Sequence, residues 1–372
     1  MAGGVGASDS IMTSDFPLEL SIIVPILNEK ETLSALFAML SRQERVAFEL
    51  IVADGGSTDG SLPLAEELSA SSTFACRFLR CKRGRGRQLN AGAQAATAGM
   101  LLFLHSDSSF PDPLALRRAL EALAAVITRR GDCRAAGRFA LRFDVPPERY
   151  GFGYYFYEAK ARLGRPEGIH GDQGFLLHRT FFDALGGFDE TQTLLEDNRL
   201  AEAVRSEGQW LLLPDEVVTS ARRFETEGLY ERQLLNALIM NFAAIGWEEF
   251  FRAAPGAYRC QTDAGKLRLT PFFRVIRGLL RPLPLRRRLD LWLATGGYVR
   301  QNAWQLAFAR DARRAFRRGL PPGEGETPLL TLHERWFDRL SDNAVGRLAT
   351  ALLVWGWFHL TCLLRVARDE ND

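Results

Sequence analysis

The chain has 372 residues but only five cysteines, Cys76, Cys81, Cys133, Cys260 and Cys362. Their number is odd and no two have Cys-x-x-Cys spacing, which excludes a disulfide scaffold and a cysteine-held structural zinc and points to a reducing cytoplasm. No internal repeat is present, so solenoid and propeller designs are excluded. No sign of charge dominates: 47 Lys and Arg face 45 Asp and Glu, net +2. The one basic run in the first half, CKRGRGRQLNAG from Cys81 to Gly92, lacks the interleaved aromatics of a nucleic-acid surface, so no nucleic-acid partner is expected. No glycine follows the first strand-like segment, where PILNEKE runs from Pro25 to Glu31, which argues against the glycine-rich loop of a nucleotidyltransferase. Residues 1–17 are small and polar without an apolar core segment; a disordered tail with no signal peptide is expected, and with it a cytoplasmic protein.

What is present is a strand–helix alternation. Hydrophobic residues make up 47% of the chain, enough for one large domain and a smaller one. Leu20–Ile26 reads as a buried strand, and so does Glu49–Ala53. Between them Leu33, Leu36, Phe37 and Leu40 recur at the three-and-four spacing of an amphipathic helix. A third apolar run, Leu101–Leu104, stops at His105-Ser106-Asp107. Strands alternating with helices predict an α/β fold with a mostly parallel, Rossmann-type sheet flanked by helices. Each strand ends in polar residues: Asn28 and Glu29 after the first, Asp54-Gly55-Gly56-Ser57-Thr58-Asp59 after the second, His105 and Asp107 after the third. In open α/β sheets ligands sit outside the carboxyl ends of the strands. On an extended segment residues two apart face the same way, so His105 and Asp107 are candidates to hold one ion. Ser57, Thr58 and Asp59 are candidate caps for the helix that follows.

These segments, IIVPILNE, IVADGGSTDGS, FLHSD, LGGFDE and LLEDNRLAEAVRSEG, in this order over roughly 20–246, resemble the family-2 glycosyltransferases. Within that family they are most similar to the small subgroup labelled arsenosugar-biosynthesis glycosyltransferases. The resemblance implies the GT-A fold over 18–250 and an inverting transfer of a sugar from a nucleotide-diphosphate donor. It implies donor contacts from Pro25, Asn28, Glu29, Asp54, Gly55, Ser106, Arg83, Arg87 and Asn90. Asp54 would meet the nucleoside; Gly55 stands where the commoner pattern has a second aspartate, which leaves the choice of base open. A departing diphosphate calls for a hard divalent cation, Mn2+ or Mg2+, and the resemblance gives Asp107 as its ligand. His105 replaces the first acid of the usual Asp-x-Asp motif, and a nitrogen ligand tilts the preference towards manganese. A packing role for His105 and a helix-capping role for Asp107 are the alternatives.

The acceptor, a sugar, lipid or small molecule, is expected on the second half of the domain. Candidates to line its site are Tyr154 of the aromatic stretch YGFGYYFY, which otherwise reads as core, and His170, Gly171, Asp172 and Gln173 of a glycine-spaced loop. An inverting transfer needs one general base. By resemblance that base is Asp197, with Glu196 as its neighbour; two acids at a helix N-terminus are also what the helix dipole favours. Arg222 and Arg223, after a strand expected at Glu216–Val218, would cover the departing diphosphate. A non-catalytic scaffold of the same fold is the rival reading.

The last third is an arginine-rich, all-helical extension, 262–372, with 19 Lys and Arg against 11 Asp and Glu. Helices are expected near Phe272–Leu280, Arg286–Arg318 and His333–Val366. Its basic amphipathic stretches and the charge-free run Leu348–Leu364 leave three outcomes open: packing or homo-oligomerisation through these helices, contact with the cytoplasmic membrane face, or one membrane span.

Overall fold

The computed structural model describes residues 18–190, 195–259 and 265–369, so the expected tail and Cys260 lie outside the described residues. The chain forms two compact units, residues 1–144 with 160–220, and residues 145–159 with 221–372. The division falls where the sheet ends, at Ser220.

In the first unit, seven strands form one sheet: β1 (Leu20–Ile26), β2 (Phe48–Asp54), β3 (Ala75–Arg80), β4 (Met100–Phe103), β5 (Ala135–Asp144), β6 (Phe175–His178) and β7 (Gln209–Ser220). Their order is β3-β2-β1-β4-β6-β5-β7. The first four are parallel; β6 runs antiparallel to both β4 and β5, and β5 pairs parallel with β7. Beside them run α1 (Lys30–Ser41), α2 (Ser61–Ser69), α3 (Arg85–Ala95) and α4 (Ala115–Arg130). The helix α5 (Phe152–Ala161) begins in the second unit, and α6 (Arg179–Ala184) and α7 (Glu196–Glu207) complete the first. The last strand is four times the length expected, because Leu211 and Leu213 extend the alternation that Pro214 hides. Gly60 is the residue before α2, at φ 87°, and Asp59 accepts the N–H of Ser61, the first residue of α2, at 2.9 Å and the Lys30 N–H at 3.1 Å, so it caps the helix and braces the loop.

Buried Glu49 ties the amino-terminal edge of this sheet together. It accepts hydrogen bonds from Ser21 Oγ of β1 (2.7 Å) and from the Thr97 N–H and hydroxyl (both 2.6 Å), and it pairs with Arg77 of β3 at 3.1 Å. Burial pushes its pKa up, but the bonds from Thr97 and Ser21, with the Arg77 charge, outweigh that and hold it below the ordinary value.

The second unit is helical: α8 (Arg222–Glu227), α9 (Leu229–Ala244), α10 (Glu248–Arg259), α11 (Thr270–Leu280), α12 (Leu285–Gln301), α13 (Trp304–Arg317), α14 (Pro328–Leu332), a π turn over His333–Phe337, α15 (Asp338–Ser341) and α16 (Ala344–Asp369). Two of the expected long helices are broken. Arg286–Arg318 splits at Asn302–Ala303, and the His333–Val366 stretch splits at Asp342–Asn343, where the Asn343 side chain accepts the Gly346 N–H at 2.9 Å. The core joins Phe242, Trp247 and Phe250 to Phe272, Phe273 and Phe358. Gly296 lets α12 and α16 cross closely, since a Cβ there would lie 2.6 Å from the Arg347 carbonyl oxygen.

Because Glu49 has a lowered pKa, its stabilisation is complete above the ordinary glutamate value of 4.5 and is lost as pH falls through its folded value. Glu49→Gln is expected to cost about 1–3 kcal/mol at neutral pH and to flatten the acid limb of a urea-denaturation profile. An unchanged acid limb would assign that limb to other carboxylates.

Candidate functional site

The topology decides which loops meet. At the carboxyl edge of the parallel strands, Ile26 is in register with Asp54, which sets the 27–29 loop beside the 55–60 loop. Because β6 is antiparallel, its first residue Phe175 pairs with Phe103, the last of β4. The loop that enters β6, Gly168–Gly174, therefore lies beside the loop that leaves β4, which carries His105 and Asp107.

Each side chain of this edge has a definable position. The Asn28 backbone sits at φ 58°; its side chain accepts the Thr58 N–H at 2.8 Å and its own N–H donates to Ser57 Oγ at 2.9 Å. The Glu29 N–H donates to Ser61 Oγ at 2.8 Å. Pro25, half-buried, is the penultimate residue of β1. Asp54, buried at the end of β2, accepts the Ser57 N–H at 2.9 Å. Gly55 follows, and behind it stands a residue the sequence reading missed. Gln88 of α3 donates to the carbonyls of Ile26 (2.8 Å) and Ala53 (2.7 Å), and a Cβ on Gly55 would lie 2.8 Å from its Oε1. The signal was available: an amide one helical turn after a basic, glycine-spaced entry, on the inner face of α3.

The basic run is only partly a loop. It ends at Gly84, with φ 141°, and Arg85 and Arg87 belong to the first turn of α3. Cations at a helix N-terminus oppose the dipole, so they need anions nearby. Arg87 pairs with Glu190 at 3.9 Å and Arg85 with Glu196 at 3.6 Å; Arg83 is exposed. Asn90, expected among the donor contacts, has a structural part. Its amide accepts the Phe188 N–H (2.9 Å) and donates to the Phe188 carbonyl (2.9 Å) and Glu190 (3.0 Å), so it clasps the 186–190 turn.

The geometry of His105 and Asp107 also differs from expectation. Strand β4 stops at Phe103, and the Ser108 N–H returns to the His105 carbonyl at 3.2 Å, so the segment turns. The strand alternation that would aim both side chains at one ion does not reach them. Both are half-buried, with Ser106 buried between them. Among the described residues no group of three or more His, Cys, Asp or Glu is arranged to hold a metal alone.

Across the edge, α7 delivers Glu196 and Asp197 in its first turn. Leu195, immediately before it, holds a left-handed backbone at φ 67°, a strained conformation for a leucine. Asp197 accepts the Gly171 N–H at 2.7 Å and the Asn198 N–H at 3.0 Å. A Cβ on Gly171 would lie 3.0 Å from Asp197 Oδ2, so only glycine leaves the carboxylate where it is. Glu196 is buried; desolvation raises its pKa, with Asp197 adding to the rise and Arg85 opposing it. Burial likewise lowers the pKa of His170, while the Asp197 charge pulls it up. Gln173, expected on the acceptor side, has a structural part. It is buried, accepts from Arg138 Nη1 at 2.8 Å and donates to the Gly168 carbonyl, which makes it a brace of the loop.

Asp172 completes the cluster. Its Oδ1 is buried with no hydrogen-bond partner. Burial, then the charges of Asp197 and Asp107, push its carboxyl up to about 7, against the pull of Arg85. Asp172, before β6, thus feels the charge of two carboxylates from other elements: Asp107 after β4 and Asp197 on α7. Tyr154, Arg222 and Arg223 belong to the second unit. Tyr154 is buried, stacked on Tyr150 and edge-on to Phe224, and both arginines are exposed at the start of α8.

Residues 21–186 match the family model for glycosyl transferase family 2. They form a family 2 glycosyltransferase domain. The uncharacterized glycosyltransferase YfnE of Bacillus subtilis is 38% identical over 93 residues, which are 24% of this chain and 23% of YfnE. A PGL/p-HBAD biosynthesis glycosyltransferase of Mycobacterium tuberculosis is 35% identical over 99 residues, 26% of this chain and 39% of the relative. The chain thus spans only 23% and 39% of the length of these two relatives. A solved mannosyltransferase from Pyrobaculum calidifontis, in complex with GDP-Man and Mn2+, is 17% identical with a TM-score of 0.45, covering 91% of this chain and 87% of its own.

A carboxyl whose pKa is raised in the folded state binds its proton more tightly there. In the absence of divalent cation, Asp172 is therefore expected to cost increasing stability as pH climbs from the ordinary aspartate range to about 7, and no more above it. Chemical denaturation of Asp172→Asn should show a stability gain over the parent that grows from about pH 4 to about pH 7 and then levels off. A gain independent of pH would mean that Asp172 titrates normally.

Proposed function

We propose that the chain is an inverting glycosyltransferase that moves a sugar from a nucleotide-diphosphate donor to an acceptor hydroxyl, with Asp197 as the general base. The observation that carries this reading is the convergence of Asp107, Asp172 and Asp197 at the carboxyl edge of the sheet. One acidic position near a leaving diphosphate and another oriented to take a proton are what such a displacement requires. The acceptor O–H gives its proton to Asp197 as its oxygen attacks the anomeric carbon, and the carbon–oxygen bond to the diphosphate breaks on the opposite face. The Gly171 and Asn198 N–H groups hold the Asp197 carboxylate in one orientation for that transfer. Glu196, tied to Arg85, keeps the first turn of α7 fixed beside the basic entry of α3.

The donor set fits a divalent cation shared with the substrate. One carboxylate with a neighbouring imidazole is too little for a closed protein cage, yet it suits an ion that takes its other ligands from phosphates and water. Asp107, with His105 beside it, would hold Mn2+ or Mg2+, which would neutralise charge on the departing diphosphate. Asp54 would meet the nucleoside, with Gly55 and the 27–29 loop lining the base; Arg83 and Arg87 would meet phosphate. His170 and Gly171 are assigned to the acceptor side, and a cytoplasmic location fits a soluble donor.

Asp197→Asn should lower transfer turnover by about 10²–10⁴-fold with the melting temperature held. Asp107→Ala should abolish the cation-dependent thermal stabilisation by nucleoside diphosphate, which in the parent follows ligand concentration over dissociation constant. Chelator should remove the same stabilisation, and manganese should restore it better than magnesium. Full turnover in both variants would overturn the mechanism; no stabilisation of the parent by any nucleoside diphosphate would favour a scaffold that has lost its donor site.

A further inference from the structure

The second unit carries a surface that the transferase reading does not use. Helix α16 is long and apolar enough over Ala344–Leu364 to cross a membrane, yet only 17% of its most apolar stretch is buried. A core helix of that composition would be mostly enclosed. One stripe of it, Ala351, Phe358 and Cys362, is buried, with Phe358 and Cys362 in the core that includes Phe273 of α11 and Leu291 of α12. Phe358 lies 5.5 Å from the ring of Phe273 and 5.5 Å from that of Trp292. The rest of the helix faces outward, with Leu352, Leu353 and Leu363 60–74% exposed and Trp355 47% exposed. Helix α12, packed along it, exposes Leu285, Leu289 and Leu293, a stripe at every fourth residue. Contiguous apolar surface on this scale needs a partner.

Charge selects which partner. From Thr270 to Gln301 the sequence has seven arginines and one acid, Asp290. Arg281, Arg286 and Arg287 are exposed where α11 gives way to α12, next to Leu285. A second copy of the chain would bring arginine against arginine, and like charges facing each other across an interface are costly. A bilayer with anionic headgroups accepts both the leucines and the arginines. The buried stripe from Ala351 to Cys362 holds this part of α16 against the protein, which suits a helix lying in the interface, with Trp355 at headgroup depth.

We propose that the outward faces of α12 and α16 are a docking surface for an anionic lipid bilayer. Leucines enter the headgroup boundary, and Arg281, Arg286 and Arg287 pair with lipid phosphates. This stands apart from the transferase reading and survives its failure.

The test is flotation of the full chain with vesicles of phosphatidylcholine, alone or in equal parts with phosphatidylglycerol. Binding should be confined largely to the anionic vesicles and should weaken as salt screens it. Arg286→Gln and Arg287→Gln should each lower partitioning by about fivefold, and the pair Leu352→Gln, Leu353→Gln by about tenfold or more. All four side chains are exposed, and circular dichroism melts should overlay the parent. Equal binding to both vesicles, or to neither, overturns the proposal. A lipid-free dimer that the leucine pair dissolves, without flotation of the parent, makes this face a self-interface. Extraction from cell membranes by detergent alone, and not by salt, makes α16 a spanning helix.

Discussion

The candidate site depends on one buried cation. Arg138 of β5 is 2% exposed, and its guanidinium donates to the carbonyls of Ala161 and Leu163 and to Gln173 Oε1. Burial draws its pKa down to about 10, so it stays charged at neutral pH. A charge enclosed in protein is tolerated when oxygen dipoles surround it, and losing one leaves the others unsatisfied at about 1–3 kcal/mol each. Those dipoles belong to the 161–174 segment. Gln173 passes the constraint to Gly168, and the same loop presents the Gly171 N–H to Asp197. The position of the proposed base is therefore fixed from β5, through an arginine that touches no reacting group.

Strand order supplies the second constraint. With β6 reversed between β4 and β5, a loop entering a strand is brought to an edge otherwise made of loops leaving strands. That reversal sets Asp172 within electrostatic reach of Asp107, and the strained Leu195 backbone turns α7 so that its first turn closes the third side. Burial, and then repulsion from Asp197 and Asp107, raises the pKa of Asp172 and leaves the edge short of positive charge. A cation and a protonated carboxyl are two ways of meeting the same need.

Much of this was legible in the sequence because it rests on local pattern. Leu20–Ile26 was bounded correctly by its apolar run, and Glu196-Asp197 was placed at a helix start by the acids themselves. What could not be read depends on long-range pairing. Asn90 and Gln173 are polar and lie in the right motifs, and only the distant partners Phe188 and Arg138 show that they also brace the fold. His105 and Asp107 were aligned by strand alternation, which fails because the pairing of β4 ends at Phe103. The split of the long tail helices at Asn302 and Asp342 likewise reflects capping by neighbours and not any break in hydrophobic period. Whether residues belong with the sheet or with the helices, as for Val145–Ala159, is a property of packing alone.

Gly55 and Gln88 have a consequence for how this chain can diverge. The Gln88 amide fills the space beside the ends of β1 and β2 that a second acid after Asp54 would enter. An aspartate at 55 alone would drive its Cβ into that amide, and a smaller residue at 88 alone would leave the carbonyls of Ile26 and Ala53 bare. Neither single step is easy, so the two positions are expected to drift only as a pair, and a lineage carrying this glutamine is held to its Asp-Gly form.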